Sequence, residues 1–476
     1  MKLSALLRAY NGELGDLEIK GITSDSRKVR PDYAFVCVKG ALADGHNYYE
    51  SAIKKGASVI ITEKDLGIEN QIIVEDTHNL YYKMCEAWFD FPLKSMKLIG
   101  LTGTNGKTSV TYMLKNIIES TGKKCGLIGT IQHMIADKVI DSKNTTPGAY
   151  ELNELFSGMR DAGCEYVVME VSSHALEQQR ICGVTFDVAL FTNLTQDHLD
   201  YHKTMENYLL AKRKLFEMCE TAIINYDDSS SKRLVEGLHC KVINYSALSD
   251  DATYSAKSIS YRADGISYDF VGFGLIGRVK VSTGGKFTVY NSLCALSCAI
   301  ELGIPLFKAI EALGNLKGVK GRAEIVPTGK DFHVIIDYAH TPDGLENILN
   351  TFKAVPHNRL ITLFGCGGDR DKTKRPIMGR IAAEKSDFVV VTSDNPRTDN
   401  PLGIIKDKMV GVKETKTPYV VIENRIEAIK YAIAHAQKDD IIILAGKGHE
   451  TYQILNTGTI HLDEREVVFQ ALEEIK

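Results

Sequence analysis

Residues 96–118 run MKLIGLTGTNGKTSVTYMLKNII. The apolar run 98–101 predicts a buried strand, and 102–107 a glycine-rich turn. The residues after Thr108 predict a helix, because Val110, Met113, Leu114, Ile117 and Ile118 recur at helical spacing and Gly122 follows as a stop. A strand that enters a Gly-Lys-Thr turn and opens a helix is a phosphate cradle. Its backbone N–H groups and the positive helix end face the anion, Lys107 reaches the terminal phosphates, and Thr108 can hold Mg²⁺. The usual loop carries a glycine five residues ahead of the Gly-Lys pair. That position is Leu101 here, flanked by Gly100 and Gly103, so the loop is a variant.

Outside this stretch the composition is that of an ordinary globular protein. A chain of 476 residues implies about three domains of roughly 150 residues each. With 44% hydrophobic residues, 25% charged residues and a net charge of -4, it does not read as a general nucleic-acid binder. No apolar run is long enough to cross a bilayer, and the first residues lack a signal-peptide core. The 10 cysteines are scattered without a C-x-x-C pair; Cys294 and Cys298 sit four apart in an apolar helix-like segment. The expectation is a reduced, cytoplasmic protein without membrane insertion.

N-terminal to the cradle, residues 1–92 read as a small mixed α/β unit with strands near 34–38, 58–62 and 72–74 and helices near 46–55 and 80–89. Two polar turns, 24–27 and 39–46, read on pattern alone as surface loops. After the cradle, 144–148 (Asn-Thr-Thr-Pro-Gly) is a turn whose hydroxyls could face a ligand. The apolar strand 166–169 ends in Glu170-Val171-Ser172-Ser173-His174, and a carboxylate there is where α/β nucleotide enzymes place a metal ligand. The strand 188–191 leads to His198 and His202, four apart with carboxylates between, a spacing that hints at zinc. No third ligand accompanies them, and a role for His198 in holding Mg²⁺ or in hydrogen bonding fits better. On pattern alone Lys212, within Lys212-Arg213-Lys214, belongs to a solvated basic helix face, and residues 229–284 read as hairpins and loops.

From about 326 onward strands and helices alternate, with strands at 333–336, 360–364, 388–392, 419–422 and 441–444 and one helix opened by Thr341-Pro342 as cap and first residue. The pattern is a parallel sheet covered on both faces, a Rossmann-like unit. Gly365-Cys366-Gly367-Gly368 does not match the dinucleotide fingerprint. Polar turns at 337–340, 368–371, 394–397 and 446–450 follow the strands, where such sheets bind ligands.

The segments Thr102–Thr108, Glu170–His174, Asp197–Asp200, Asp337–His340 and Gly446–Glu450, in this order over essentially the whole chain, resemble the Mur ligases of peptidoglycan synthesis. The resemblance implies an α/β protein of three domains: a UDP-binding unit at 1–92, a P-loop ATP-binding unit at 93–325 and a Rossmann-like amino-acid-binding unit at 326–476. It implies a monomeric cytoplasmic ligase that takes ATP, two Mg²⁺ and the UDP-muramoyl-dipeptide, and that adds meso-diaminopimelate to D-glutamate. The Asp394-Asn395-Pro396-Arg397 motif marks the diaminopimelate-adding group. By the same resemblance Ser24, Ser26, Ala41, Leu42 and Ala43 would bind the uridine nucleotide, and Asn144, Thr145, Thr146, Ser172, Gln178 and Arg180 the muramoyl-dipeptide. Gly103, Thr104, Asn105, Gly106, Lys107, Thr108, Ser109, Asn291, Arg322 and Asp337 would contact ATP. Arg370, Asp394, Asn395, Pro396, Arg397, Gly446 and Glu450 would receive diaminopimelate. Thr108, Glu170, His198 and Lys212 would form the metal-side group, with Lys212 as a CO₂-derived carbamate; Lys107, Lys212, His198 and Glu170 would be catalytic.

Two positions depart from the family pattern. Lys320 stands where a proline is usual, which implies a more mobile hinge, and Thr288 replaces a common asparagine. Rival expectations are an L-lysine-adding ligase, a folylpolyglutamate synthase on the same core, and a P-loop nucleotide switch. The N-terminal unit and Arg397 speak against the first two, and the third lacks a guanine-reading motif.

Overall fold

The computed structural model describes residues 1–7, 13–40, 43–262, 265–316 and 318–475. Its strands sort into three large sheets in chain order, and Tyr452–Leu455 and Gly458–His461 pair as a separate two-stranded sheet. Strands Gly21–Thr23, Tyr33–Val36, Ala57–Thr62 and Gln71–Ile73 form a four-stranded parallel sheet. Gly21–Thr23 escapes the sequence pattern because three residues are too few to show a period.

The central sheet has 11 strands. Lys97–Thr102 lies between Cys164–Glu170 and Phe186–Phe191, parallel to both, so the ends of all three strands emerge on one edge. That register explains why the cradle, Glu170 and the residues after Phe191 meet although they lie far apart in the chain. Gly100 keeps the centre closed: a Cβ there would stand 2.6 Å from the Phe186 ring. Helix Lys107–Glu119 lays Val110, Met113, Leu114, Ile117 and Ile118 into the core beneath helix Lys286–Glu301, as the helical spacing predicts.

The segment read as hairpins and loops is more regular than expected. Lys241–Ser246 joins the parallel sheet, and Tyr254–Arg262, Gly265–Gly272 and Leu275–Val281 extend it, the last two running antiparallel to their neighbours. Buried Tyr254, Tyr268 and Phe270 supply the apolar alternation that its many serines and lysines obscure.

The third sheet has the order Glu324–Val326, His333–Asp337, Ile441–Ala445, Leu360–Phe364, Phe388–Val391, Tyr419–Val421, and only the first strand is antiparallel. Residues of helices Pro342–Lys353, Lys374–Lys385 and Pro401–Val412 share one core, and those of Arg425–Ala434 and Glu464–Glu474 share a second. The Thr341 cap is as predicted, with the Gly344 N–H donating to Thr341 Oγ1 at 3.1 Å ahead of Pro342. Among the described residues all 10 cysteines are free thiols, and no helix is long and apolar enough to cross a membrane.

Candidate active site

The cradle is braced from the neighbouring strand end. The Thr104 N–H donates to Asn193 O at 2.8 Å and the Asn105 N–H to Asn193 Oδ1 at 2.9 Å, while Thr192 Oγ1 donates to Asn105 O at 2.6 Å. Gly103 (φ 151°) and Gly106 (φ 88°) hold positive φ, and a Cβ on either would run into Thr192 Oγ1 or Asn291 Oδ1. Lys107 curls over the loop and donates to Gly103 O at 2.8 Å and Thr104 O at 2.9 Å. Lys212 donates to the same Gly103 oxygen at 2.9 Å, is 1% exposed, and lies 4.2 Å from the Tyr208 ring centre. The solvated-face reading of Lys212 is therefore wrong: helix Met205–Arg213 turns it inward with Tyr208, Leu209 and Ala211. Burial, and then the positive charge of Lys107, push the Lys212 amine well below the usual lysine range.

Glu170, 1% exposed, collects the hydroxyls around the cradle mouth. Its Oε1 accepts Thr108 Oγ1 and the Thr130 N–H, both at 3.0 Å, and its Oε2 accepts Thr130 Oγ1 at 2.9 Å. Thr130 in turn lies 3.0 Å from Thr145 Oγ1, and Thr146 Oγ1 donates to Glu170 O at 2.9 Å and accepts the Ser172 N–H at 3.0 Å. Arg180 adds Thr146 O at 3.2 Å and Gln178 Oε1 at 2.6 Å. Thr145, Thr146, Ser172, Gln178 and Arg180 thus gather with Glu170; Asn144 stays exposed, its carbonyl taking Ser142 Oγ. Nothing in the strand pattern pointed to Thr130.

His198 and His202 do not form a metal pair. His202 is buried against Ser173 Oγ (2.9 Å) and stacks on Tyr208, a packing role. His198 stands 3.3 Å from Asp197 and edge-on to His174. Burial pushes the His198 ring down to about 3, even against the pull of Asp197.

Two clefts open between the central unit and the third sheet. One, of about 570 Å³, is lined by Asn105, Gly106, Ser109, Asn291, Arg322 and Asp337, six of the ten residues expected at ATP, and also by Asp343 and Phe287; Gly103, Thr104, Lys107 and Thr108 are not in its lining. Arg322 donates to Thr108 Oγ1 at 3.1 Å and lies over the Tyr338 ring. Asp343 Oδ2 accepts Asn105 Nδ2 at 2.8 Å across the domain junction. Around the two departures from the family pattern, Val319 and Arg322 form a bridge, the Gly321 N–H meets Glu324 Oε2 at 2.6 Å, and Thr288 Oγ1 donates to Gly284 O at 2.7 Å.

The second cleft, of about 710 Å³, sets Asp197, His198 and Asp200 against Arg370, Asp394, Asn395, Arg397, Gly446 and Glu450. Fully buried Lys447 organises this wall: it donates to Glu450 Oε2 at 2.8 Å and Asn395 Oδ1 at 3.1 Å, and lies 3.8 Å from Asp394. Asn395 Nδ2 donates to the same Glu450 oxygen at 2.8 Å. Arg397 (φ 53°) directs Nη1 to Gly368 O at 3.0 Å, and Arg370 Nη1 holds Asp369 O at 3.0 Å. Pro396 O accepts the Asp399 N–H at 3.0 Å and faces away into the loop. A Cβ on Gly446 would stand 2.7 Å from Asp394 Oδ2.

A third cleft, of about 1640 Å³, runs from the first sheet to helix Ala149–Asp161 and is lined by Ser24, Arg27, Arg30, Tyr33 and Tyr150. Ser26 and Ala43 are not in its lining, and Ala41 and Leu42 lie outside the described residues.

Comparison with known proteins agrees with this layout. Residues 18–91 match the model of the Mur ligase family, catalytic domain, residues 101–299 the Mur ligase middle domain, and residues 321–448 the Mur ligase, glutamate ligase domain. The chain is 48% identical to the UDP-N-acetylmuramoyl-L-alanyl-D-glutamate–2,6-diaminopimelate ligase of Caldanaerobacter subterraneus subsp. tengcongensis, covering 100% of this chain and 99% of that one. It is 47% identical to the corresponding ligase 1 of Clostridium acetobutylicum, over 100% of both chains. A solved structure of a UDP-N-acetylmuramoyl-L-alanyl-D-glutamate–2,6-diaminopimelate ligase superimposes with a TM-score of 0.74 at 30% identity, over 100% of this chain and 99% of that chain.

Proposed function

The chain belongs to the Mur ligase family, and from that premise we propose that it joins meso-diaminopimelate to the D-glutamate of UDP-N-acetylmuramoyl-L-alanyl-D-glutamate, driven by ATP, in peptidoglycan precursor synthesis. One observation carries this reading: the cradle side and the amine-side turns of the third sheet face each other across a single cleft, Asp197 and His198 opposite Arg370, Arg397 and Glu450. The working units are 1–92 for the uridine nucleotide, 93–325 for ATP and 326–476 for the amino acid, and the enzyme acts as a cytoplasmic monomer.

The D-glutamyl carboxylate attacks the γ-phosphorus of ATP, the bond to the bridging oxygen breaks, and ADP leaves an acyl phosphate. The amine nitrogen then attacks the acyl carbon, the carbon–oxygen bond to phosphate breaks, and inorganic phosphate departs. Lys107 and the loop N–H groups hold the phosphoryl oxygens, which is positioning and electrostatics more than covalent chemistry. The donor set suits Mg²⁺: a buried carboxylate (Glu170) and a hydroxyl (Thr108) 3.0 Å apart are hard oxygen ligands. Bound Mg²⁺ would neutralise charge on those oxygens, held by Thr108, Glu170, His198 and Lys212. Lys212 fits its part because burial favours the neutral amine that CO₂ requires, and the resulting carbamate is an anion. Arg397 selects the amine: only Nη1 is committed within the loop among the described residues, which leaves Nε and Nη2 for a bidentate grip on the second carboxylate of diaminopimelate.

The test is phosphate release from ATP. It should require both the UDP-muramoyl-dipeptide and an amine; release that ignores either one overturns the ligase reading.

A further inference from the structure

Lys374 opens helix Lys374–Lys385 and lines the cleft opposite Asp197 and His198. It is 7% exposed, yet among the described residues nothing accepts a hydrogen bond from its Nζ and no carboxylate lies within ion-pair distance. Its stem is packed away while its ammonium opens onto the cleft, so a group bound in the cleft would be its partner. The helix end beside it is already occupied: Asp371 Oδ1 takes the Thr373 N–H (2.8 Å) and Oγ1 (2.6 Å), the Arg375 N–H donates to Lys372 O at 3.1 Å, and Pro376 has no N–H. The unpaired lysine directed into the cleft is the sign of an anionic ligand.

Two anions meet in this cleft, the amine substrate's carboxylates and the transferred phosphoryl group, and position separates them. Lys447 already serves Glu450 and Asp394 at the amine-side wall. Lys374 instead lines the cleft together with Asp197, His198 and His340, at the junction with the cradle. His340 itself closes to 4.0 Å from Asp197 across that junction.

We propose that Lys374 is a catalytic residue that contacts the transferred phosphoryl group. The acyl phosphate is then gripped from both sides, by Lys107 of the central unit and Lys374 of the third. When the amine nitrogen attacks and the carbon–oxygen bond breaks, the departing phosphate takes the electron pair and the proton the nitrogen sheds, leaving as hydrogen phosphate beside the Lys374 ammonium, which keeps its own protons. Two lysines on separate units also make the reaction depend on closure of the cleft, which keeps water from the acyl phosphate. The proposal rests on the ligase reading above.

The experiment compares Lys374→Met, which keeps the buried stem, and Lys374→Arg with the unaltered enzyme. The readouts are kcat, KM for diaminopimelate, inhibition by inorganic phosphate, and the unfolding midpoint. Loss of one preorganised charge predicts a fall in kcat of about 100-fold or more for Lys374→Met, with KM for diaminopimelate within about 3-fold. Phosphate inhibition weakens at least about tenfold, the midpoint is unchanged, and Lys374→Arg recovers part of the rate. A rise in KM with kcat retained assigns Lys374 to the amine and overturns the proposal, as do unchanged kinetics or a kcat loss explained by a lowered midpoint in both variants. An unaltered enzyme without amine-dependent phosphate release overturns the ligase reading itself, a separate result.

Discussion

Arg425→Met should be among the most damaging single changes in the third unit, although Arg425 touches no cleft. The side chains of Arg425 and Glu464 are both 0% exposed and joined at 2.7 Å, and the same guanidinium donates to Ser393 O at 3.1 Å and Ala445 O at 2.9 Å. Those carbonyls immediately precede Asp394 and Gly446, so one buried fork fixes the two turns assigned to the amine. Removing one partner of a buried ion pair costs about 3–5 kcal/mol, and each orphaned carbonyl adds about 1 kcal/mol or more. We therefore expect a loss of about 5 kcal/mol, set against a typical total stability of about 5–15 kcal/mol. Arg425 donates to Glu464 Oε1 and Oε2 has no hydrogen-bond partner among the described residues, so the carboxylate would be left wholly unpaired. Burial already raises the Glu464 carboxyl above its ordinary 4.5, and loss of Arg425 raises it further. A raised folded-state value means protonation favours the folded form. The Arg425→Met deficit should thus be greatest above that raised value and should shrink as pH falls toward 4.5. Urea denaturation at several pH values measures it. Arg425→Met with Glu464→Leu should recover most of the loss, because a well-packed apolar pair can replace an ionic one. A single-variant loss below about 1 kcal/mol, or a double variant no better than the single, would refute the reasoning.

Three further outcomes follow. Lys212→Ala should lose about 100-fold or more in turnover, with partial recovery on adding formate or acetate; unchanged activity would return Lys212 to a packing role. Gly103→Ala forces a side chain into a φ of 151° and against Thr192, so KM for ATP should rise at least about tenfold while the unfolding midpoint drops, as steady-state kinetics and thermal melts would record. His449 is pushed down to about 3, first by burial and then by Arg322. Its contribution to stability is present above 6.5 and lost as pH falls from 6.5 toward 3, so His449→Gln should flatten that part of the urea-midpoint profile.

How far the sequence reached depended on whether a feature was local. The strand-turn-helix of the cradle is one continuous segment, and its glycines, apolar period and N-terminal lysine all appear in order. Five strands of the third sheet were equally visible, the central ones because strands buried on both faces read as unbroken apolar runs, while the three-residue Glu324–Val326 was missed. Lys212 was misread because it stands in a run of three basic residues, of which Arg213 and Lys214 stay partly exposed while Lys212 turns inward, and only the family resemblance corrected this. Asp343 lies 238 residues from the Asn105 it anchors, and Arg425 acts on carbonyls, which carry no side-chain signature. Lys374 stood among basic neighbours in 372–375 that on pattern alone resemble a surface run. Each of these depends on packing between units, which no local spacing encodes.

The central claim is that Arg397 and its turn choose the amine, and a competition assay tests it most directly. With ATP and the UDP-muramoyl-dipeptide held constant, equal concentrations of meso-diaminopimelate and L-lysine are offered and the two tripeptide products are weighed by mass spectrometry. The account predicts a product dominated by diaminopimelate, by about 100-fold or more, because lysine would leave Nε and Nη2 of the half-buried Arg397 unpaired. It also predicts that Arg397→Ala erodes most of that preference. Equal incorporation of lysine by the unaltered enzyme would contradict it.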